Sequence, residues 1–478
     1  DYDGKLTSIR SRFFNEPVLL TPEHPVLVLK VEKGKGSKYW EEFKFTEPEW
    51  KDAAQVSKGD CVLYPILKEV KDVEHISISD YLKLQKLSEE IIAPRKVTHT
   101  SRTIPDKIED NKEFLRLAGY YLAEGSVSGH TLRFYFSKDE EDYIGDVVNI
   151  VKTNFNIEPK VSYVNNVAAV TVYSRILADL FKVLFNKYSY RKSIPSFIML
   201  LPPEKQKELI KAYWRGDGCI REKDFTFVSV SKQLTYQVRD ILLRCGIIPS
   251  IQLRRKNTLN KKIHKIEDRE ISFTHDKYHI TVGGQFLEKM SEILLVRHAK
   301  IKDRAHISKQ AWIKDGYCIL PVREVKEIDY RGRVYNIAIE DNQTYVAKNF
   351  IVHNCDGPIY KGRIIGVVGG SDSAVKEALL LTEYAKKVYI IYRGERVHPE
   401  PINMKRAEEK IKQGKLEMIN NTNVIEIKGN AVMTHIIFNK PYKGSKEFKL
   451  DALFVDIGHI PLSGLAIPLG VKVNEKQE

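Results

Sequence analysis

Cysteine, methionine and tryptophan are scarce, at 5, 5 and 4 among 478 residues. The cysteines, Cys61, Cys219, Cys245, Cys318 and Cys355, are odd in number and scattered, with no CxxC pair. That excludes a disulfide framework and makes a reducing, cytoplasmic setting the expectation. No apolar run approaches the roughly 18–20 residues of a membrane helix, so no membrane partner is expected. The opening DYDGKLTSIRSRFF lacks a signal-peptide pattern and reads as a segment that begins inside a domain. Disordered and collagen-like chains are excluded by 42% hydrophobic and 29% charged residues with mean hydropathy −0.34. What is present in excess is positive charge. Lys and Arg number 77 against 63 Asp and Glu, for a net +14. A polyanionic partner, most simply nucleic acid, is implied.

At roughly 100–200 residues per domain the length suggests about three domains. Four zones follow from composition. Residues 1–95 are strand-rich, with PVLLTPEHPVLVLKV and SKGDCVLYPIL. Residues 96–305 alternate helical patterns with short strands and hold 36 basic against 25 acidic residues, a surplus of +11. The basic run Arg254, Arg255, Lys256, Lys261, Lys262 and Lys265 adjoins a strand pattern, as in hairpins that track a DNA backbone. Residues 306–354 return to strands, with turns expected at Arg331-Gly332 and Asp341-Asn342. Residues 355–478 switch to a βαβ pattern.

The second zone contains a duplication. FLRLAGYYLAEG and KELIKAYWRGDG are apolar helices ending in Glu124-Gly125 and Asp217-Gly218, and each is followed by paired strands and another helix. Small residues such as Ala118, Ala123, Ala212 and Gly216 let two such helices approach and set Glu124 beside Asp217. A carboxylate at a helix C-terminus is disfavoured by the dipole, and two repel each other. A divalent cation between them removes both penalties. The pair resembles the LAGLIDADG homing endonucleases of the two-repeat kind, an α+β fold of two αββαββα repeats. That resemblance implies Mg²⁺ held by Glu124 and Asp217, and double-stranded DNA as partner at the uninterrupted host-gene site. It implies catalytic lysines at Lys192, in YRKSIPSFI, and at Lys300, in RHAKIKDRA, with Lys302 as the alternative for the second.

His353-Asn354-Cys355 carries a different chemistry. An Asn side-chain amide can attack its own backbone carbonyl and cut the chain after Asn354. His353 can protonate the leaving nitrogen, and the Cys355 thiol can first accept an acyl group. With the preceding VYNIAIEDNQTYVAKNFIV, the string resembles the C-terminal splicing blocks of inteins, which have the all-β Hedgehog/intein (Hint) fold. Thr21-Pro-Glu-His24 resembles their TxxH block, which implies that Thr21 and His24 act on an upstream scissile peptide. The block with the first nucleophile is expected ahead of Asp1. Asn336 stands where many inteins have Asp, and Cys61 and Cys318 read as core residues.

Residues 355–478 resemble the NADP-binding domain of thioredoxin reductase, with an α/β Rossmann-like fold. Cys355-Asp356-Gly357 matches the second half of that family's redox CxxC. Gly369-Gly370-Ser371-Asp372-Ser373-Ala374 lies between a strand and a helix, as a dinucleotide fingerprint does. Arg393 replaces the acid that would bind the ribose of NAD, which suits NADPH. The resemblance further implies a complete host enzyme that is an FAD-dependent homodimer acting on thioredoxin. The return string FVDIGHIPLSGLA holds Gly458-His459. Three readings stay open: a splicing element with an active endonuclease, one with an inactive endonuclease, and a redox-enzyme piece with a structural basic insertion.

Overall fold

The computed structural model describes residues 2–14, 16–33, 43–88, 90–94, 103–109, 111–259, 264–266, 269–296, 298, 310–335, 344–353, 362–382, 384–430 and 433–457. Lys300, Lys302, Asn336, Asp341-Asn342, Asn354, Cys355 and Gly458-His459 lie outside them. The chain divides into two compact units. The first is Asp1–Pro22, Val26–Gly332 and Tyr345–Val352; the second is Glu23–Pro25, Arg333–Thr344 and His353–Glu478.

In the first unit the two strand-rich zones, far apart in sequence, build one ten-stranded sheet. Seven of its strands run in the order Val18–Leu20, Tyr2–Ser11, Tyr317–Gly332, Asp60–Pro65, Pro25–Lys33, Phe350–His353, Thr344–Ala347, and Trp312–Lys314, Phe43–Phe45 and Glu49–Asp52 pair beside them. Tyr2–Ser11 pairs antiparallel with Tyr317–Gly332 from Tyr2↔Gly332 to Ser11↔Val322. This corrects the turn expected at Arg331-Gly332. Both residues extend the strand, because Asp3 and Tyr2 lie opposite them in the ladder and Asp3 pairs with Arg331 at 3.6 Å. Ladder hydrogen bonds outweigh the local turn propensity of Gly. Alternating apolar side chains turn inward: Ile9, Val26, Val28, Val62, Leu320 and Val352 are all buried. Cys61 and Cys318 are buried in the same sheet, and burial pushes the Cys61 thiol up to about 12.

Between those zones, residues 111–294 form two successive αββαββα units. In the first, the strands adjoin in the order Gly125–Ser128, Thr131–Ser137, Val167–Tyr173, Lys160–Val164. In the second, they adjoin as Gly218–Ile220, Asp224–Ser229, Lys277–Gly283, Ser250–Arg254. Both sheets therefore share one strand order, first-second-fourth-third. The second repeat adds a hairpin, His264–Ile266 with Arg269–Ile271, that begins at the end of the basic run. Ser174 and Ser231 start helices by accepting from the amides of Leu177 and Leu234. Short strands on both sides of position 95 pair with one another, Ile104↔Ile92 and Lys107↔Ser77. One apolar core runs from the ten-stranded sheet into the helical region, through Ile9, Val28, Phe114, Ile210, Ile280 and Val352.

The helices Asn111–Glu124 and Pro203–Asp217 pack along their length. Their approach is set by two glycines. A β-carbon on Gly119 would lie 2.5 Å from the Leu209 carbonyl oxygen, and one on Gly216 would lie 2.5 Å from the Ala123 β-carbon. Only glycine fits at either position.

The second unit contains a four-stranded parallel sheet in the order Leu416–Ile419, Lys387–Ile391, Ile364–Val368, Ala452–Val455. In chain order that is 3-2-1-4, the Rossmann arrangement. An antiparallel meander, Val424–Gly429, Met433–Tyr442, Ser445–Lys449, lies in the chain between its third and fourth strands. Among the described residues no helix is long and apolar enough to cross a membrane.

Gly119→Ala should therefore destabilise the chain by about 1–3 kcal/mol through overpacking. Gly145→Ala should stabilise it by about 0.5–1 kcal/mol, since that helical glycine faces open space. Urea denaturation of both variants measures the contrast, and equal effects would refute the close approach.

Candidate functional site

Each motif acid is the last residue of its helix, and each is followed by a glycine that turns the chain directly into a strand. The glycines do not form left-handed caps. Gly218 has extended torsions, φ −100° and ψ 158°. They are needed for space: a β-carbon on Gly125 would strike the Tyr121 ring at 2.3 Å, and one on Gly218 the Trp214 ring at 2.2 Å. Gly216 leaves room for the Glu124 side chain, whose Cγ lies 2.9 Å from where a β-carbon would sit. Glu124 and Asp217 thus come together, as the duplicated motif implied.

Their electrostatics are adverse. Burial, then the Asp217 charge, pushes the Glu124 carboxyl up to about 7, against the pull of Lys192. Burial pushes Asp217 up to about 6, again opposed by Lys192. Among the described residues no cluster of three or more His, Cys, Asp or Glu is placed to hold a metal. The protein's donor set here is two carboxylates at two helix ends. That set suits Mg²⁺, which takes one or two carboxylates and completes its shell with waters and phosphate oxygens.

Lys192 is neither a surface charge nor an open phosphate contact. It is 4% exposed. Its Nζ donates to the carbonyls of Tyr121 at 2.6 Å, Gly125 at 2.9 Å and Leu122 at 3.1 Å. The ammonium caps the C-terminus of the first motif helix, where a cation is favoured. Burial lowers it to about 8, while Asp217 and Glu124 act in the opposite direction. On the first motif helix, Arg116 forks onto Asp146 with both bonds at 3.1 Å, Tyr120 donates to Asp146 at 3.0 Å, and Arg215 donates to Tyr120 at 2.7 Å. This network joins three helices. Sequence reasoning missed it, because its members are isolated polar residues with no shared motif.

At the other candidate centre, Thr21 follows the strand Val18–Leu20, and His24 immediately precedes Pro25–Lys33. His353 ends Phe350–His353, and that strand is antiparallel to Pro25–Lys33 at Val352↔Val26. His24 is buried, and its pKa falls to about 4 through burial and then through the charge of His353. Two histidines 329 positions apart are therefore neighbours, and His24 is neutral near pH 7.

In the second unit the Gly-rich loop sits between Ile364–Val368 and the helix Asp372–Leu381. Gly369 has φ +153°, and a β-carbon there would lie 2.1 Å from the Asp456 carbonyl oxygen. A β-carbon on Gly370 would enter the Tyr392 ring at 2.3 Å. The loop thus lies flat at the end of the fourth strand, at the switch point of the sheet. Ser371 makes no side-chain cap on the first turn of that helix, and a helix N-terminus of this kind suits an anion. Its Oγ lies 2.9 Å from that of Ser373. Asp372 is engaged elsewhere, accepting from the Glu400 amide and Asn403 Nδ2 at 2.8 Å each. Ala374 is fully buried in helix–strand packing, while Arg393 is exposed just after Lys387–Ile391. Gly369 and Gly370 are buried, so the exposed groups among these residues are Ser373 and Arg393.

Comparison with known proteins agrees with both halves. Residues 204–295 match the LAGLIDADG-like domain, and residues 331–478 match the pyridine nucleotide-disulphide oxidoreductases. The chain joins a LAGLIDADG-like region to a thioredoxin-reductase-like region. An uncharacterized protein of Methanocaldococcus jannaschii is 31% identical over 382 residues, covering 75% of this chain and 45% of that protein. An ATP-dependent DNA helicase of Thermococcus kodakarensis is 25% identical over 390 residues, covering 75% and 32%. A thioredoxin reductase of Debaryomyces hansenii is 39% identical over 111 residues, covering 22% and 34%. The chain spans less than half the length of each of these relatives.

Both raised carboxyls bind protons more tightly folded than unfolded. Stability therefore falls as pH rises from the ordinary carboxylate range through about 7. Asp217→Asn should raise the thermal midpoint at pH 7.5, by roughly 2–4 °C for each kcal/mol of repulsion removed. Mg²⁺ should raise the midpoint of the wild type but not of the variant. Scanning calorimetry with and without Mg²⁺ checks both, and an unchanged or lowered midpoint in the variant would contradict the strain.

Proposed function

We propose that residues 1–354 belong to a protein-splicing element of the intein kind with the Hint fold, carrying a homing endonuclease in residues 96–305. Residues 355–478 are then part of the thioredoxin reductase that it interrupts. The observation that carries this reading is the ten-stranded sheet. It is built from both sides of the inserted region, and one of its strands ends at His353 beside His24. A fold closed in this way needs the insertion for none of its own strands, as expected of a nuclease lodged within a splicing element. The pattern of relatives supports it as well. A protein named as a helicase matches three-quarters of the chain, and one named thioredoxin reductase matches 22% of it. An element that moves between unrelated hosts leaves that pattern.

In the splicing reaction the Asn354 side-chain nitrogen forms a bond to the Asn354 carbonyl carbon. The bond from that carbon to the Cys355 nitrogen breaks, and the freed amine takes a proton in a step that His353 assists. Before that step the Cys355 thiol accepts the upstream acyl group. Thr21 and neutral His24 act at the upstream junction. After splicing, Cys355 becomes one half of the host's redox pair. NADPH then lies on Gly369, Gly370 and Ser371 with Arg393 toward its 2′-phosphate, and FAD and thioredoxin belong to the complete, dimeric host enzyme.

In the endonuclease, Glu124 and Asp217 would hold Mg²⁺, which supplies charge stabilisation for phosphodiester cleavage when bound. Lys192 fixes the end of the helix that presents Glu124. Lys300, with Lys302 as the alternative, is the catalytic lysine of the second repeat, and the basic hairpin contacts the DNA.

With the upstream segment restored, the precursor should release joined flanks, and Asn354→Ala should release none. With Mg²⁺, the chain should cut a duplex spanning the uninterrupted host-gene junction, and Asp217→Asn should lower that rate by about 10² or more. Ligated flanks from Asn354→Ala would refute the splicing junction. A wild type that splices but leaves the duplex intact would refute the active endonuclease.

A further inference from the structure

A short stack of aromatic rings joins the two repeats at the surface. Tyr188 and Tyr190 lie just before and within the single turn Ser189–Arg191, which follows the helix Arg175–Phe185. Their rings stack with 5.8 Å between centroids and 18° between planes. His275, in the loop that leads into Lys277–Gly283 of the second repeat, stacks on Tyr190 at 4.6 Å and 14°. Tyr188 is 51% exposed and Tyr190 39%, and His275 is half-buried. Cations flank the rings. Lys187 Nζ lies 5.4 Å from the Tyr188 centroid, and the Arg191 guanidinium lies 5.5 Å from that of Tyr190. Asp276, next to His275, accepts from the Lys256 amide at 2.8 Å, which ties this loop to the basic run.

The turn that carries the tyrosines is fastened to the first motif helix. The Tyr121 hydroxyl donates to the Asn186 carbonyl at 2.7 Å, and Asn186 Nδ2 donates to Ser193 Oγ at 2.9 Å. The amides of Arg191 and Lys192 donate to the Tyr188 carbonyl at 2.8 and 3.0 Å. Lys192 follows Tyr190 by two positions, and its ammonium bonds to the backbone on both sides of Glu124. Single exposed aromatics need no explanation. Parallel rings flanked by cations and fixed beside a carboxylate pair are a different matter. They match the composition of surfaces that stack bases and attract the intervening phosphates. A base inside a duplex already has both faces covered by its neighbours. The fitting occupant is therefore an unpaired base, and strand scission at Glu124 and Asp217 would create ends that carry one.

We propose that Tyr188, Tyr190 and His275 form a stacking platform for an unpaired base of a DNA strand, with Lys187 and Arg191 against its phosphates. The proposal rests on the reading of residues 96–305 as a nuclease. It adds that this region grips a single strand as well as a duplex.

The test measures binding of the full chain, by fluorescence anisotropy, to three labelled DNAs. They are a single strand of about 12 deoxyadenosines, an abasic strand of the same length and charge, and a duplex spanning the uninterrupted host-gene junction. The wild type should bind the deoxyadenosine strand about tenfold or more tighter than the abasic one. Tyr190→Ala and His275→Ala should each weaken deoxyadenosine binding by about fivefold or more, with abasic binding held within about twofold. Tyr190→Phe keeps the ring and should retain the wild-type affinity for both strands. A wild type that binds the duplex but holds the two single strands equally would overturn the proposal alone. So would Ala variants that lose both strands equally, or a Tyr190→Phe variant that loses the deoxyadenosine strand. A wild type that binds none of the three DNAs would overturn the nuclease reading and this proposal with it.

Discussion

Two helices packed too closely for a β-carbon at their contact govern the centre of this molecule. Gly119 and Gly216 set the spacing, and the spacing forces two carboxylates together at buried helix ends. Burial holds both carboxyls well above the ordinary range, and the Asp217 charge adds to the rise at Glu124. The fold tolerates this arrangement because a large apolar core, continuous with the neighbouring sheet, holds the helices in place. Lys192 moderates the cost from below without neutralising it, since its donors are engaged by helix-terminal carbonyls. Strain that the surrounding fold maintains at two acids is what a cation-binding site requires.

The same core argues against a loose assembly of modules. Strands from residues 2–65 and 312–353 complete one sheet, and the region between them is welded to that sheet by apolar packing and by Arg239, whose guanidinium lies over the Phe14 and Tyr64 rings. The thioredoxin-reductase-like region has its own cores and its own parallel sheet. Charge follows the same division. The excess of +14 is mostly the +11 of residues 96–305, where a polyanion would bind.

Much of this was legible in the sequence. The duplicated helices ending in acid-Gly reported both αββαββα units, because small residues at helical spacing and an abrupt glycine have few other uses. The strand–Gly-rich turn–helix pattern reported the parallel sheet for a similar reason. The role of Gly119 was hidden inside the motif string, since nothing local distinguishes a glycine that faces another helix from one that faces solvent, as Gly145 does. Arg331-Gly332 read as a turn because its strand partners lie about 330 residues away, at Asp3 and Tyr2. Lys192 stood out as a candidate, but the carbonyls that hold it at a helix end are 67–71 residues distant and gave no signal. Arg239 and Asn349 carried no signal at all, because the bond from the Arg239 guanidinium to the Asn349 side-chain oxygen joins positions 110 residues apart.

The central claim is that this chain is two molecules joined between Asn354 and Cys355. Intact-mass analysis of the purified chain, incubated without protease, tests it most directly. The account predicts two products: one that begins at Cys355, and one that ends in a succinimide and is one water lighter than the free acid. A chain that stays whole, or one that breaks at any other bond, would contradict it.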